Sequence, residues 1–149
     1  MDFGLIGVAA ALSLAAAGSA LGMGSAGLAA VGAWKKAYMQ NKPASFTMIT
    51  FVGAPLTQTI YGFILMFVVM LPRIGVADSW FMLGAGVLGG LAMGLSAWFQ
   101  GKAGAAACDA LGETGKGFAN YIIVLGLIET VALLVMVFLL LLCGSQYPV

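Results

Sequence analysis

The sequence predicts an all-α membrane protein, with four transmembrane helices that form two duplicated helical hairpins of the same orientation. Three observations predict this fold class. Four long apolar segments are separated by short segments that carry the charges, the two halves of the chain share sequence patterns, and glycine is frequent in the first and third segments. Only 7% of the 149 residues are charged and 62% are hydrophobic, whereas a soluble domain is about 25% charged.

Each apolar segment is long enough to cross a bilayer as a helix, which takes about 20 residues. Lipid cannot pair with free backbone groups, and the segments lack the alternation of a β-barrel, so helices are expected. Asp2 stands where a leader peptide carries basic residues, so the first segment is expected to remain as the first helix. The first hairpin covers residues 1–72 and the second 79–149, in a single integral membrane domain. The expected helices cover about residues 3–37, 46–72, 79–110 and 117–143.

The basic residues predict the orientation of the hairpins. Five of the six lie near one end of the helices, and only Arg73 lies near the other end. By the positive-inside rule, the loops at 35–45 and 110–117 are expected to be cytoplasmic and both termini outside. The five residues are Lys35, Lys36, Lys42, Lys102 and Lys116.

The two halves of the chain repeat one another in sequence. Residues 24–30 (GSAGLAA) match residues 101–107 (GKAGAAA) with an offset of 77. Residues 56–60 (LTQTI) match residues 127–131 (LIETV) with an offset of 71. Both halves have the same orientation, so this is a parallel repeat, whereas many transporters contain inverted repeats.

Small residues at every fourth position form a stripe along the odd-numbered helices, and such stripes let helix backbones approach closely in lipid. The even-numbered helices carry bulkier side chains. We therefore expect the odd helices to form an inner layer and the even helices a lipid-facing outer layer, although glycine is also frequent in membrane helices generally. The predicted packing glycines are Gly18 and Gly22 in the first helix and Gly86, Gly90 and Gly94 in the third.

Glu129 is the only charged residue near the middle of a span. A carboxylate at that depth costs about 2.5–3.5 kcal/mol on insertion scales, which marks it as a candidate functional residue. The alternative is a protonated Glu129 that hydrogen-bonds between helices without carrying an ion.

Oxygen-bearing side chains on two other helices are expected near Glu129. Gln58, flanked by Thr57 and Tyr61, lies at the equivalent depth of the second helix, and Gln100 ends the apolar run of the third. A hard cation such as Na⁺ prefers oxygen ligands of this kind. Pro55 precedes the cluster and frees a backbone carbonyl, with a simple packing kink as the alternative explanation.

Other function classes fit the sequence less well. The chain has no histidine and no evident pair of nucleophile and base, which argues against an enzyme. Cys108 and Cys143 lie far apart and indicate neither a disulfide framework nor a zinc site. A net charge of +1 provides no electrostatic field for nucleic acid. A purely structural or pore-forming protein would leave the oxygen cluster unexplained.

Three motifs together resemble the proteolipid (c or K) subunits of the membrane rotor in V-type and A-type ATPases. They are APLTQTIYGF at residues 54–63, FQGKAG at 99–104 and LIET at 127–130. The resemblance covers nearly the whole chain, because the glycine-rich odd helices and the single glutamate in the fourth helix belong to it. A small four-helix cation antiporter fits less well, since that class carries its glutamate in the first helix.

The resemblance implies a ligand set for the transported ion. In sodium-binding members the ion is held by the groups that correspond to Glu129, Thr57, Gln58, Gln100 and the backbone carbonyl of Ala54. The residue corresponding to Tyr61 supports the glutamate by a hydrogen bond. Because the side-chain set is complete, Na⁺ is expected rather than H⁺. A proton-translocating member of the same family is the alternative. No cofactor other than the transported ion is expected.

The resemblance also implies an assembly. About ten copies are expected to form a closed homo-oligomeric ring. Glu129 would bind and release the ion as the ring rotates past a stator subunit with a basic residue. Central-stalk subunits would contact the cytoplasmic loops, so that ion transport is coupled to ATP hydrolysis or synthesis on other subunits. The chain itself would be non-catalytic. It would lie in the cytoplasmic or plasma membrane of a prokaryote.

Overall fold

Four long helices account for most of residues 3–148, the part of the chain that the computed structural model describes. Asp2, on which the argument about a leader rests, lies outside these residues. All four helices are long and apolar enough to cross a membrane. They are α1 (Phe3–Met39), α2 (Met48–Arg73), α3 (Ser79–Thr114) and α4 (Phe118–Gln146).

The helix ends differ from the predicted ones by one to four residues. α1 continues to Met39 rather than residue 37, α3 to Thr114 rather than 110, and α4 to Gln146 rather than 143. The charged residues Lys36 and Glu113, near the ends of α1 and α3, do not stop these two helices. α3 stops where Gly115 adopts a φ of +66°, in the left-handed region that commonly terminates helices. α2 begins at Met48 rather than 46 and ends at Arg73 rather than 72.

α1 and α3 pack together along most of their length with backbone against backbone. A Cβ atom added at Gly86 would collide with the backbone of Gly7, and one added at Gly18 would collide with the backbone of Gly94. All five glycines that the sequence marks as packing residues are buried in this contact. Close approach of the two helices therefore depends on the missing side chains.

α2 is a continuous helix of varying geometry. It is α-helical over Met48–Gly53, tightens to a 3₁₀ turn over Ala54–Leu56, returns to α-helix and then widens to a π-helix over Leu65–Met70. Pro55 lies in the 3₁₀ turn and supplies no backbone N–H, which explains why the regular pattern is broken there. The turn lies immediately before the polar residues of α2.

Arg73 joins the ends of α2 and α4 on the side of the termini. Its Nη1 donates to the carbonyl of Val69 at 2.6 Å, and its Nε donates to the carbonyl of Tyr147 at 2.8 Å. A second, longer bond of 3.3 Å connects Nε to the carbonyl of Cys143. A cation at the C-terminal carbonyls of a helix is electrostatically favourable, so Arg73 stabilises the last turn of α4.

Candidate ion-binding site

The polar side chains predicted from α2, α3 and α4 meet halfway along the bundle. Gln58 and Gln100 are fully buried, and Tyr61 and Glu129 are half-buried at its edge. Most other side chains of these helices are apolar, so the cluster is a polar site within a largely apolar bundle. The structure brings together all the side chains that the sequence proposed for this site.

A chain of hydrogen bonds runs from α2 to α3. The Thr57 hydroxyl donates to the carbonyl of Ala54 at 3.0 Å and lies 3.1 Å from Gln58 Oε1. Gln58 Nε2 donates to Gln100 Oε1 at 2.9 Å. Thr57 is thus linked to Glu129 through the two glutamines, each of which donates its Nε2 to the next oxygen of the chain.

Both carboxylate oxygens of Glu129 accept a hydrogen bond. Tyr61 donates its hydroxyl to Oε1 at 2.9 Å, and Gln100 Nε2 donates to Oε2 at 3.2 Å. Both donors are uncharged. Within residues 3–148, the one ion pair joins Lys36 of α1 to Glu113 of α3 at 2.8 Å. This ion pair lies at one end of the helix bundle, and Arg73 lies at the other end. The carboxylate is therefore oriented by neutral groups and has no cationic partner among them.

The 3₁₀ turn explains the position of Thr57. The carbonyl of Ala54 accepts both the backbone N–H and the side-chain hydroxyl of Thr57, which lies three residues later. A carbonyl oxygen has two lone pairs and can accept both bonds. The Ala54 carbonyl is thus directed at the cluster but engaged by Thr57 in this structure, rather than free.

Sequence reasoning missed three groups around Glu129. Ser96 Oγ donates to the carbonyl of Ile128 at 2.8 Å, and Gln100 Nε2 also donates to the carbonyl of Leu125 at 3.0 Å. Ser96 lies four residues before Gln100, on the same face of α3, and this spacing in an apolar run was the available signal. Nothing in the sequence identifies the two carbonyls.

Comparison with known proteins identifies the family. Residues 83–142, which include Gln100 and Glu129, match the family model for the C subunit of ATP synthase. The chain is also 34% identical over 131 residues to the A-type ATP synthase subunit K of Methanocaldococcus jannaschii. Both matches support a proteolipid (c/K) subunit of V/A-type ATPases. The resemblance seen in the motifs is thereby confirmed.

The match to this proteolipid relative includes 87% of the chain but 56% of the relative, so the chain spans about half the length of that protein. The family match covers the second hairpin, in which α3 and α4 supply Gln100 and Glu129. The role of each site residue remains a prediction at this point. What the geometry provides is one carboxylate, two amide oxygens, one hydroxyl, one phenol and one backbone carbonyl at the same depth.

Proposed function

We propose that the chain is the ion-carrying subunit of the rotor ring of a V/A-type ATPase, and that Glu129 binds and releases Na⁺. The observation that carries the proposal is the environment of Glu129. Its carboxylate is hydrogen-bonded to Tyr61 and Gln100, which are neutral, and the oxygens of Gln58 and Thr57 continue the same cluster. A mid-span carboxylate is costly unless a bound cation or proton neutralises it.

Na⁺ is favoured over H⁺ by the number of oxygens that converge. A proton needs one carboxylate, whereas Na⁺ needs a shell of oxygens from several groups. Gln58 and Gln100 are fully buried and add amide oxygens that proton transfer to Glu129 does not require. In the sodium-bound site, Tyr61 and Gln100 orient the carboxylate, and Thr57, Gln58 and the Ala54 carbonyl turn their oxygens to the ion.

Neutralisation of Glu129 explains transport in this proposal. The ion enters from one aqueous access channel of a stator subunit, and the neutral site then passes the lipid-facing part of the rotation at low cost. A basic stator residue displaces the ion into the second channel. About ten copies form the closed ring, and each copy carries one ion for its four helices, because Gln58 occupies the position equivalent to Glu129.

The remaining partners are proposed from the loops. The segments between α1 and α2 and between α3 and α4 lie at the basic end of the chain, which includes Lys42 and Lys116. By the positive-inside rule these loops are cytoplasmic and are therefore available to the central stalk. ATP hydrolysis or synthesis takes place on other subunits, and the membrane is the cytoplasmic or plasma membrane of a prokaryote.

The proposal is tested by carbodiimide labelling of the purified ring, since carbodiimides modify protonated carboxyls in apolar surroundings. Glu129 is expected to be labelled, and Na⁺ at constant pH is expected to slow the labelling by occupying the site. Glu113→Gln is the matched control, because Glu113 is the other glutamate and is exposed and paired with Lys36. This control should leave the labelling and its protection unchanged.

The outcomes separate the alternatives. Labelling of Glu129 that is insensitive to Na⁺ between about pH 5 and 9 would favour proton transport. Glu129→Gln is expected to abolish ion transport and leave the ring assembled, since the amide keeps the hydrogen-bonding shape without the charge. Loss of the ring in this variant would instead favour a purely structural role for Glu129.

A further inference from the structure

Ser19 of α1 carries a buried hydroxyl without a hydrogen-bond partner. The residue is 2% exposed, and within residues 3–148 its Oγ is the one buried side-chain nitrogen or oxygen that is unpaired. An unpaired polar group in an apolar bundle is unfavourable, so native structures retain few of them. Alanine at this position would avoid the cost and fit the surrounding small residues. The hydroxyl therefore calls for a role other than packing.

Two close approaches between α1 and α2 fix the relative register of these helices. A Cβ atom added at Gly22 would lie 3.0 Å from the Cβ atom of Pro55. One added at Gly62 would lie 2.7 Å from the Cβ atom of Ala15. Residues 15 to 22 of α1 therefore run antiparallel to residues 55 to 62 of α2, in contact with them.

Ser19 and Gln58 occupy the middle of this contact. Ser19 is four residues after Ala15 and three before Gly22, on the same face of α1. Gln58 is three residues after Pro55 and four before Gly62 on α2. Ser19 and Gln58 thus occupy opposite positions across the helix contact, at the depth of the ion site.

One of the two N–H groups of the Gln58 side-chain amide has no hydrogen-bond acceptor within residues 3–148. Nε2 has two N–H groups, and it donates one of them to Gln100 Oε1 at 2.9 Å. Gln58 is fully buried, so water does not satisfy the second N–H at the surface. A spare donor on Gln58 and a spare acceptor on Ser19 therefore lie opposite one another.

The second hairpin shows how the equivalent serine is used. Ser96, which follows Ser19 by the repeat offset of 77, donates to the carbonyl of Ile128 at 2.8 Å. Ile128 corresponds to Thr57 at the second offset of 71. α2 contains the 3₁₀ turn at Ala54–Leu56 just before Thr57, whereas α4 is regular throughout. In the first hairpin, Ser19 makes no bond to the equivalent carbonyl of Thr57, and its hydroxyl stays unpaired.

We propose that Ser19 is a positioning residue of the ion site, which accepts a hydrogen bond from Gln58 Nε2 when a cation is bound. The inference rests on the proposed function. A cation that is ligated by Gln100 Oε1 competes for the lone pairs that now accept from Gln58, so the Gln58 amide needs another acceptor. A bond to Ser19 supplies one and holds Gln58 Oε1 toward the cation.

The test compares Ser19→Ala with Ser13→Ala in the assembled ring. Ser13 lies on the exposed face of the same helix and serves as the matched control. Ser19→Ala is expected to raise the Na⁺ concentration that half-protects Glu129 from carbodiimide by about fivefold, the effect of one lost hydrogen bond. The labelling rate without Na⁺ should stay unchanged, because the unpaired hydroxyl has no bond to lose in that state. Ser13→Ala should alter neither quantity, and Ser19→Thr, which keeps a hydroxyl, should retain more of the protection than Ser19→Ala.

Each outcome bears on the inference. Equal protection of Ser19→Ala and the unsubstituted ring by Na⁺ would overturn the role of Ser19 and leave the proposed function intact. A change in the labelling without Na⁺, or in ring assembly, would show a structural role and also overturn it. Failure of Na⁺ to protect the unsubstituted ring would contradict the sodium function itself, and the role of Ser19 would fall with it.

Discussion

The carboxylate of Glu129 is held by two neutral donors, one on each oxygen. Tyr61 comes from α2 and Gln100 from α3, so the carboxylate of α4 is bound to both neighbouring helices. Hydrogen bonds to a charged group are worth about 1.5–3 kcal/mol, more than bonds between neutral groups. These two bonds therefore fix the direction in which the carboxylate faces an incoming ion.

Removal of the Tyr61 hydroxyl tests this arrangement at the scale of a single residue. Tyr61→Phe is expected to weaken Na⁺ binding about tenfold, since Glu129 Oε1 loses its donor and the carboxylate becomes free to rotate. The measurement is the Na⁺ concentration that half-protects Glu129 from carbodiimide. Tyr121→Phe is the control, because Tyr121 packs edge-on against Phe51 away from Glu129. Unchanged protection in Tyr61→Phe would contradict an orienting role.

The residue composition of the site could be predicted from the sequence, because the depth of a residue follows from counting along a helix. Glu129 and Gln58 were expected at one depth, and the structure places both in the same cluster. The direction of each hydrogen bond could not be predicted. It depends on the rotation of one helix about another, and Ser96 and Ser19 show this, since equivalent positions are bonded in one hairpin and unpaired in the other.

At the scale of the helix, α1 and α3 form the tightest contact in the described chain, and glycine makes it possible. Gly86 packs against Gly7, and Gly18 against Gly94, with no side chain between the helices. The repeat of small residues predicted which helices pack closely. No sequence pattern predicted the π-helix at Leu65–Met70, because its wider turn depends on how α2 packs between its neighbouring helices.

A pair of neighbouring glycines in α3 tests the packing. Gly86→Ala is expected to destabilise the protein by about 1–3 kcal/mol, because the new methyl group would overlap the backbone of Gly7. Gly84→Ala is the control, since a Cβ atom there would meet nothing within 4 Å. The thermal stability of the purified protein in detergent measures both effects. Equal stability of the two variants would argue against backbone packing at Gly86.

At the scale of the whole molecule, α1 and α3 expose side chains of complementary size over part of their length. α3 exposes bulky side chains such as Leu88, at 68% exposure, whereas the residues that α1 exposes between positions 9 and 20 are small, namely Ala9, Ser13, Ala17 and Ala20. The contact between Gly7 and Gly86 sets the register between α1 and α3. Each residue of α1 lies at the same depth as the residue of α3 that follows it by 79 positions in the sequence. Leu88 therefore lies at the depth of Ala9, and in a ring one copy's α3 would fit against the next copy's α1.

Cross-linking tests this fit between copies. Ala9→Cys combined with Leu88→Cys is expected to give a ladder of covalent oligomers on oxidation, because each cysteine of one copy would meet the other cysteine of its neighbour. Either single substitution should give no ladder, and the native Cys108 and Cys143 are buried within the protomer. Absence of the ladder in the double variant would contradict this arrangement of the ring.

The backbone contact between α1 and α3 also has a mechanical consequence. Long side chains between two helices can change rotamer and let the helices slide, but Gly86 against Gly7 and Gly94 against Gly18 leave no such freedom. The two helices are therefore expected to move as one rigid unit when force is applied. In a rotating ring, torque applied at the loops would be transmitted along this pair with little elastic deformation. The softer elements are α2, with its 3₁₀ and π segments, and the long side chains of α4.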